Sequence, residues 1–244
     1  MWLNNSRGNR FSRQHTYLDP DVDKEFWDYS NDEFAKYDQP ACFEFILAKT
    51  GVKNLTYIGH SQGTQQMFAA LCENLEFFQP KINLAIMLAP VTRVDRNTCG
   101  SIHRFKDSDS MFKLAESIGQ ELLPNPQVEG KMMGGFLWAT GAASFSLGMV
   151  SDEDPSLISA YGKETYFGHY PSGSSFKNLT YFKQTVNSCK FRKFDYGTEK
   201  NLELYGTAEP PEYDLTKIQN VPIALVCGLK DMLASKGDFR WLKE

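Results

Sequence analysis

Apolar and polar positions fall into two kinds of block along this chain. Short apolar runs bounded by polar turns predict strands at Leu55-Thr56-Tyr57-Ile58, at Ile82 to Ala89 and at Val221 to Cys227. The Ile82 run is continuous enough to predict burial on both faces, and Pro90 bounds it. Pro222 is tolerated at the start of the last strand. Between these runs, apolar residues spaced three and four apart predict helices. Met67, Phe68 and Leu71 share one face of a helix from Thr64 to Glu73. Phe43, Ile46 and Leu47 lie on another, which starts with Pro40 at its first position and runs to Gly51. Asp21 to Tyr29 predicts a short helix after Pro20, and Met1 to Leu3 is at most a strand remnant. Strands alternating with helices indicate an α/β protein built on a mainly parallel sheet.

The rhythm breaks between Val91 and Pro211. Helical patches at Ser110 to Leu122 and Ser174 to Val186 flank a glycine-rich apolar stretch. More than a hundred residues between two sheet strands exceed an ordinary crossover, so an inserted cap over the strand ends is expected. The organisation expected is therefore residues 1–90 as the first part of the core, 91–211 as a cap or lid, and 212–244 as the second part. Met132 to Val150 carries no charge over a length that could span a bilayer. Its glycines and hydroxyl residues make it weakly apolar and poorly helical, so a buried or interfacial segment is expected instead of a transmembrane span.

Composition narrows the function classes. Thirty acidic and 26 basic residues give a net charge of −4, with no basic patch that suggests nucleic acid. Lys190-Phe191-Arg192-Lys193, the densest basic cluster, reads as the solvated last turn of a helix. Aromatic residues make up 14%, which suits a large core and an apolar substrate surface alike. The five cysteines (Cys42, Cys72, Cys99, Cys189, Cys227) have no metal-ligand spacing, and neither metal nor cofactor is expected. Cys42, Cys72 and Cys227 read as buried thiols, while Cys99 and Cys189 could pair. Asn4, Asn54 and Asn178 head glycosylation sequons, which matter only in the secretory pathway. The N-terminus, Met-Trp-Leu-Asn-Asn-Ser-Arg, has no apolar core of a signal peptide.

The chemistry concentrates at Gly59-His60-Ser61-Gln62-Gly63, which matches the nucleophile elbow G-x-S-x-G between a strand and a helix. A serine on so sharp a turn needs neighbours two residues away that do not collide, and glycine has no Cβ. The helix then aims its N-terminus at a developing oxyanion beside Ser61. A plain strand-helix turn with Ser61 as N-cap would show the same letters.

With these residues in view, the chain resembles the acid lipase family. Trp2-Leu3-Asn4-Asn5-Ser6-Arg7-Gly8-Asn9 is similar to the family's W-L-G-N-S-R-G-N, with Asn4 in place of glycine. Asp32 to Ala41 resembles D-E-M-A-K-Y-D-L-P-A, and the elbow matches G-H-S-Q-G in full. Leu88-Ala89-Pro90-Val91 follows the next strand as in the family, and His169 to Ser175 is similar to H-x-P-A-G-T-S. Val221-Pro222-Ile223 through Gly228-Leu229-Lys230-Asp231-Met232-Leu233-Ala234 resembles the strand and loop that bear the acid. The resemblance implies a partial α/β-hydrolase fold with an inserted lid and an enzyme of lipid degradation. It would hydrolyse neutral lipid esters, acylglycerols or sterol esters, at a lipid-water interface, through a serine nucleophile and an acyl-enzyme. Ser61 would be the nucleophile, Asp231 the triad acid and the Gln62 backbone N–H one oxyanion donor. Locally, Asp231 also reads as an N-cap for the Met232-Leu233-Ala234 turn, and Asp238 is a weaker candidate acid. The family implies secretion or the lysosome.

The base is the gap. A triad in this order needs a histidine after Asp231, and the residues to Glu244 contain none. His15, His60, His103 and His169 each have a blander reading: a polar loop, the elbow's x, the variable part of the cap, and a cap position. The family's second oxyanion donor, on a His-Gly loop, lies upstream of Trp2. A lipase fragment cut at both ends, inactive by itself and with the Ser61 strand left at an unpaired edge, is therefore expected. The alternative is a non-catalytic relative that binds lipid or a partner.

Overall fold

A computed structural model describes residues 1–96, 120–122 and 172–244 of the chain. His103, His169, Cys99 and the uncharged stretch 132–150 lie outside the described residues. Three parallel strands, β1 (Leu55–His60), β2 (Ile82–Leu88) and β5 (Ile223–Val226), form a sheet in the order β1-β2-β5. Leu55 pairs with Ile82 and His60 with Leu88, while Ala85 pairs with Ile223 and Leu88 with Val226. A second, two-stranded sheet joins β3 (Glu121–Leu122) antiparallel to β4 (Ser174–Ser175). Glu121 and Leu122 were expected to end a helix. Pairing with Ser174 and Ser175 makes them a strand, and residues 110–119 are outside the description.

The helical run before β1 begins earlier than Pro40. Ser30 caps α1 (Asn31–Glu33) in a capping box: Asp32 N–H donates to its Oγ, and Ser30 N–H donates to Glu33 Oε2 at 2.6 Å. The run continues through a π turn at Phe34–Asp38 into α2 (Gln39–Thr50). Gln39 N–H reaches back to Phe34 O across that widened turn, which makes room for a proline without breaking the helix. The expected first position of Pro40 is therefore corrected to the interior of a longer helical run. Gly51, at φ 72°, ends α2.

α3 (Gln62–Glu73) supplies the centre of the core. Met67, Ala69, Ala70 and Leu71 are sealed from solvent and pack with Phe43, Phe78 of α4 (Leu75–Phe78), Ala85 and Met87. Thr64, Gln65 and Gln66 are buried too, which apolar spacing alone does not reveal. Only one face of β2 is sealed. Ala85 and Met87 face α3, whereas Leu84, Ile86 and Leu88 are half-buried, so the expected burial on both faces does not hold. On β1, Ile58 is 61% exposed. No strand forms at Met1 to Leu3. Met1 to Asn4 instead flank a groove of about 630 Å³ along β1, the strand that stands at one edge of the sheet.

After the undescribed stretch, α5 (Phe176–Ser188) is capped by Ser175, whose Oγ accepts Asn178 N–H. Val186 packs with Val91, Val94 and Ala234. The basic cluster beyond α5 is paired and partly enclosed, not a solvated turn. Phe191 is buried, Lys190 meets Glu212 at 2.8 Å, Lys193 meets Glu73 at 2.6 Å, and Arg192 bridges Asp195 and Glu209. α6 (Thr198–Tyr205) and α7 (Lys236–Lys243) complete the described elements. Among the described residues, no helix is long and apolar enough to cross a membrane.

Candidate active site

One residue separates β1 from α3, so Ser61 makes the whole turn. It does so at φ 51° and ψ −116°, a backbone state that costs a non-glycine residue roughly 1–3 kcal/mol. Bonds around it hold the strain in place. Ser61 N–H donates to Leu88 O at 3.0 Å, carrying the β1-β2 ladder one step past the strand. Ser61 O accepts Thr64 N–H at 2.9 Å and the Thr64 hydroxyl at 2.6 Å. Buried Thr64 also accepts Val91 N–H at 2.9 Å, and Gln65 Nε2 donates to Thr92 O at 3.1 Å. The loop after β2 is thereby fixed to the elbow. Ser61 does not cap α3 with its side chain, and its hydroxyl makes no hydrogen bond among the described residues. The plain N-cap reading of Ser61 fails on that point.

The two elbow glycines are unequal. A Cβ at Gly59 would stand 2.8 Å from the Tyr57 ring, 2.9 Å from the Gly63 carbonyl carbon and 3.0 Å from Thr64 N. A Cβ at Gly63 would meet only the Tyr57 hydroxyl, at 3.6 Å. The expected need for glycine on both sides is therefore corrected: sterics require it at Gly59 alone. At Gly63 the fixed element is the backbone, whose carbonyl accepts Tyr57 OH at 2.8 Å.

Asp231 lies on the loop between β5 and α7. Its Oδ1 accepts the N–H groups of Leu233 and Ala234 at 2.9 and 2.8 Å. The capping reading is thus realised, but by one oxygen. Oδ2 has no hydrogen-bond partner among the described residues. Ser61 and Asp231 line a single cavity of about 460 Å³, together with His60, Ala89, Val91, Gly228, Leu229, Lys230, Leu233 and Ala234. Its wall is mostly apolar, and Lys230 brings a cation that sequence reasoning had not singled out. Register explains the convergence. The carboxyl ends of β1, β2 and β5 lie side by side, so the residues following each strand meet at one end of the sheet.

Gln62 opens α3. The first N–H groups of a helix have no intrahelical acceptor, so the Gln62 amide is available to an anion at Ser61. Its side chain turns away to a different element, Nε2 donating to Asn178 Oδ1 of α5 at 2.8 Å. Nothing in the spacing of the sequence announces that bond.

The remaining candidates separate cleanly. Buried Asp238 is committed to structure: its Oδ2 accepts the Ser235 hydroxyl and Arg96 N–H, and its Oδ1 lies 3.4 Å from Arg93 Nε. It does not line the cavity. His15 Nδ1 accepts the N–H groups of Tyr17 and Leu18 in the N-terminal loop, away from Ser61. His60 is exposed and borders both the cavity and the groove along β1. The thiols of Cys42, Cys72 and Cys227 are half-buried and free, and burial pushes Cys72 up to about 12.

A family model described as the alpha/beta hydrolase fold matches residues 2–238. The chain is 36% identical to gastric triacylglycerol lipase of Homo sapiens, over 98% of this chain and 60% of that protein. It is 35% identical to lipase member K of Homo sapiens and to lipase lipl-1 of Caenorhabditis elegans, in both cases over 98% of this chain and 60% of the relative. The chain thus spans about 60% of the length of these relatives.

Proposed function

Because the chain belongs to the α/β-hydrolase family and, within it, to the acid lipases, we propose that it carries the nucleophile and the acid of a serine carboxylic-ester hydrolase of neutral lipids. The observation that carries this reading is one cavity lined by a serine on a strained strand-helix turn and by an aspartate with one oxygen unspent. Ser61 attacks the ester carbonyl, and the Gln62 N–H at the head of α3 receives the oxyanion. A histidine held by Asp231 Oδ2 takes the serine proton and returns it to the leaving alcohol, giving an acyl-enzyme that water then cleaves. The mostly apolar wall favours an acyl chain over a charged one. The working environment of this chemistry is extracellular or lysosomal.

Among the described residues, no histidine hydrogen-bonds Asp231. His15 and His60 have the surroundings described above, and no histidine follows Asp231 within the sequence. Loss of the base costs about 10⁶ in a comparable serine hydrolase, and one oxyanion donor about 10²–10³. Without a base at Asp231, the chain by itself is expected to turn over ester negligibly.

A small base in solution tests the reading. Imidazole is the side chain that is wanted, and it fits a 460 Å³ cavity. A fluorophosphonate probe is expected to leave Ser61 unlabelled in buffer and to label it increasingly as imidazole is added, with no labelling of Ser61→Ala. Labelling without imidazole would show that the chain holds its own base. Absence of labelling at any imidazole concentration, with binding of long-chain ester intact, would favour the non-catalytic lipid-binding relative.

A further inference from the structure

The three sequons stand outside the ester chemistry, and the structure sets two of them apart although both read Asn-Leu-Thr. Asn178, in the first turn of α5, is 7% exposed. Its carboxamide is spent on both sides: Oδ1 accepts Gln62 Nε2 at 2.8 Å, and Nδ2 donates to Ser174 Oγ at 3.2 Å. A sugar on Nδ2 would displace Ser174 and need space that packed side chains fill. Asn54 is its opposite. It ends the run 51–54, all exposed, between Gly51 and β1. Its carboxamide forms no hydrogen bond among the described residues. Thr56, the hydroxyl residue of the same sequon, is exposed on the open face of β1. Asn54 lines neither the Ser61 cavity nor the groove along β1, whose wall on that strand begins at Leu55. At Asn4, also exposed, the carboxamide accepts the Cys42 thiol at 3.0 Å and borders that groove.

We propose that Asn54 is an N-glycosylation site and that Asn178, with the same tripeptide, is never one. The inference rests on the secretory route of the proposed function. The co-reactant is an oligosaccharide on a polyprenyl pyrophosphate. Asn54 Nδ2 attacks the anomeric carbon, and a C–N bond forms as the bond from that carbon to the phosphate oxygen breaks. The lipid pyrophosphate leaves with the electron pair, and the amide proton passes to a base of the transferase. Asn54 is ordinary surface for such a group, as a sequon in an exposed loop should be.

The test fuses the chain behind a cleavable signal sequence in insect cells and removes glycans with a peptide amidase in heavy-oxygen water. Heavy-oxygen aspartate is expected at position 54 and absent at 178. A gel shift reversed by the amidase is expected to lose its Asn54 component in Asn54→Gln and in Thr56→Ala, and to persist in Asn178→Gln. Unmodified Asn54 in chains whose signal has been cleaved, or heavy oxygen at Asn178, would overturn the proposal. The chain from its own cells reads the location separately. If it carries no glycan while the fused form carries one at Asn54, the site stands and the secretory reading falls.

Discussion

A methyl group added at Gly59 meets the Tyr57 ring and the backbone of Gly63 and Thr64 at 3.0 Å or less, and the two backbone contacts belong to the helix that holds Ser61. Neither can move without moving Ser61. Gly59→Ala is therefore expected to lower stability by about 1–3 kcal/mol, the usual range for overpacking. Gly63→Ala adds its methyl where only a hydroxyl lies at 3.6 Å, inside the first turn of a helix. Alanine is the better helix residue by up to ~1 kcal/mol, so that variant is expected to be neutral or slightly stabilised. Urea midpoints of the two variants decide the matter, and equal losses would remove the steric distinction. The same reasoning separates the two oxygens of Asp231. One closes a turn and fixes the carboxylate, which leaves the other aimed by structure and not by chance.

At the scale of elements, α1 is held to the distant half of the chain by one carboxylate. Asp32 accepts Phe194 N–H at 2.9 Å and Tyr213 OH at 2.8 Å, so the segments around 32, 194 and 213 meet on it. Burial is the main force on this group and raises it to about 6 from an ordinary 3.8, with Glu33 adding to the rise and the two hydrogen bonds and Lys193 opposing it. The folded form thus binds its proton more tightly than the unfolded form. Asp32 weakens the fold when ionised at pH 7, and that penalty fades as pH falls through 6 towards 4. Linkage bounds the gain at about 3 kcal/mol. The urea midpoint is expected to rise between pH 7 and pH 5, and Asp32→Asn to flatten that rise. An unchanged slope in the variant would assign the pH dependence to other groups. Element type was legible in the sequence wherever apolar spacing and local chemistry agreed, as at the elbow strand, α3 and α5. It was not legible where a long-range partner decided. Glu121 and Leu122 carry helical spacing but take strand form because Ser174 and Ser175 offer a ladder, and Pro40 marks a start only when no π turn precedes it. The Gln62–Asn178 bond joins residues whose nearness no local pattern encodes. Ser61 and Asp231 were legible as candidates because each sits just beyond a strand end, a place that parallel pairing makes common to all strands.

The molecule as a whole leaves one sheet face open among its described residues. Ile58 and Val226 are 61% and 50% exposed there, beside half-buried Ile86 and Leu88, and β1 stands at the sheet's edge. An apolar face joined to an edge strand invites pairing with another chain. Sedimentation velocity is expected to show self-association that grows with concentration and is reduced in Ile58→Lys. A monomer at all concentrations would mean that the open face is covered in solution. The order of the strands bears also on how the site comes into being. β1 and β2 are separated by one helical hairpin's length of chain, whereas β5 must return to β2 across about 135 residues. Closing so long a loop costs entropy before any contact rewards it, and it slows folding. The strand and helix on either side of Ser61 can therefore assemble early, during synthesis, while Asp231 arrives only with the last strand. A growing chain thus forms the strained turn at Ser61 before the part of the cavity wall that carries Asp231. The cavity that Ser61 and Asp231 both line is therefore complete only once the sheet has closed.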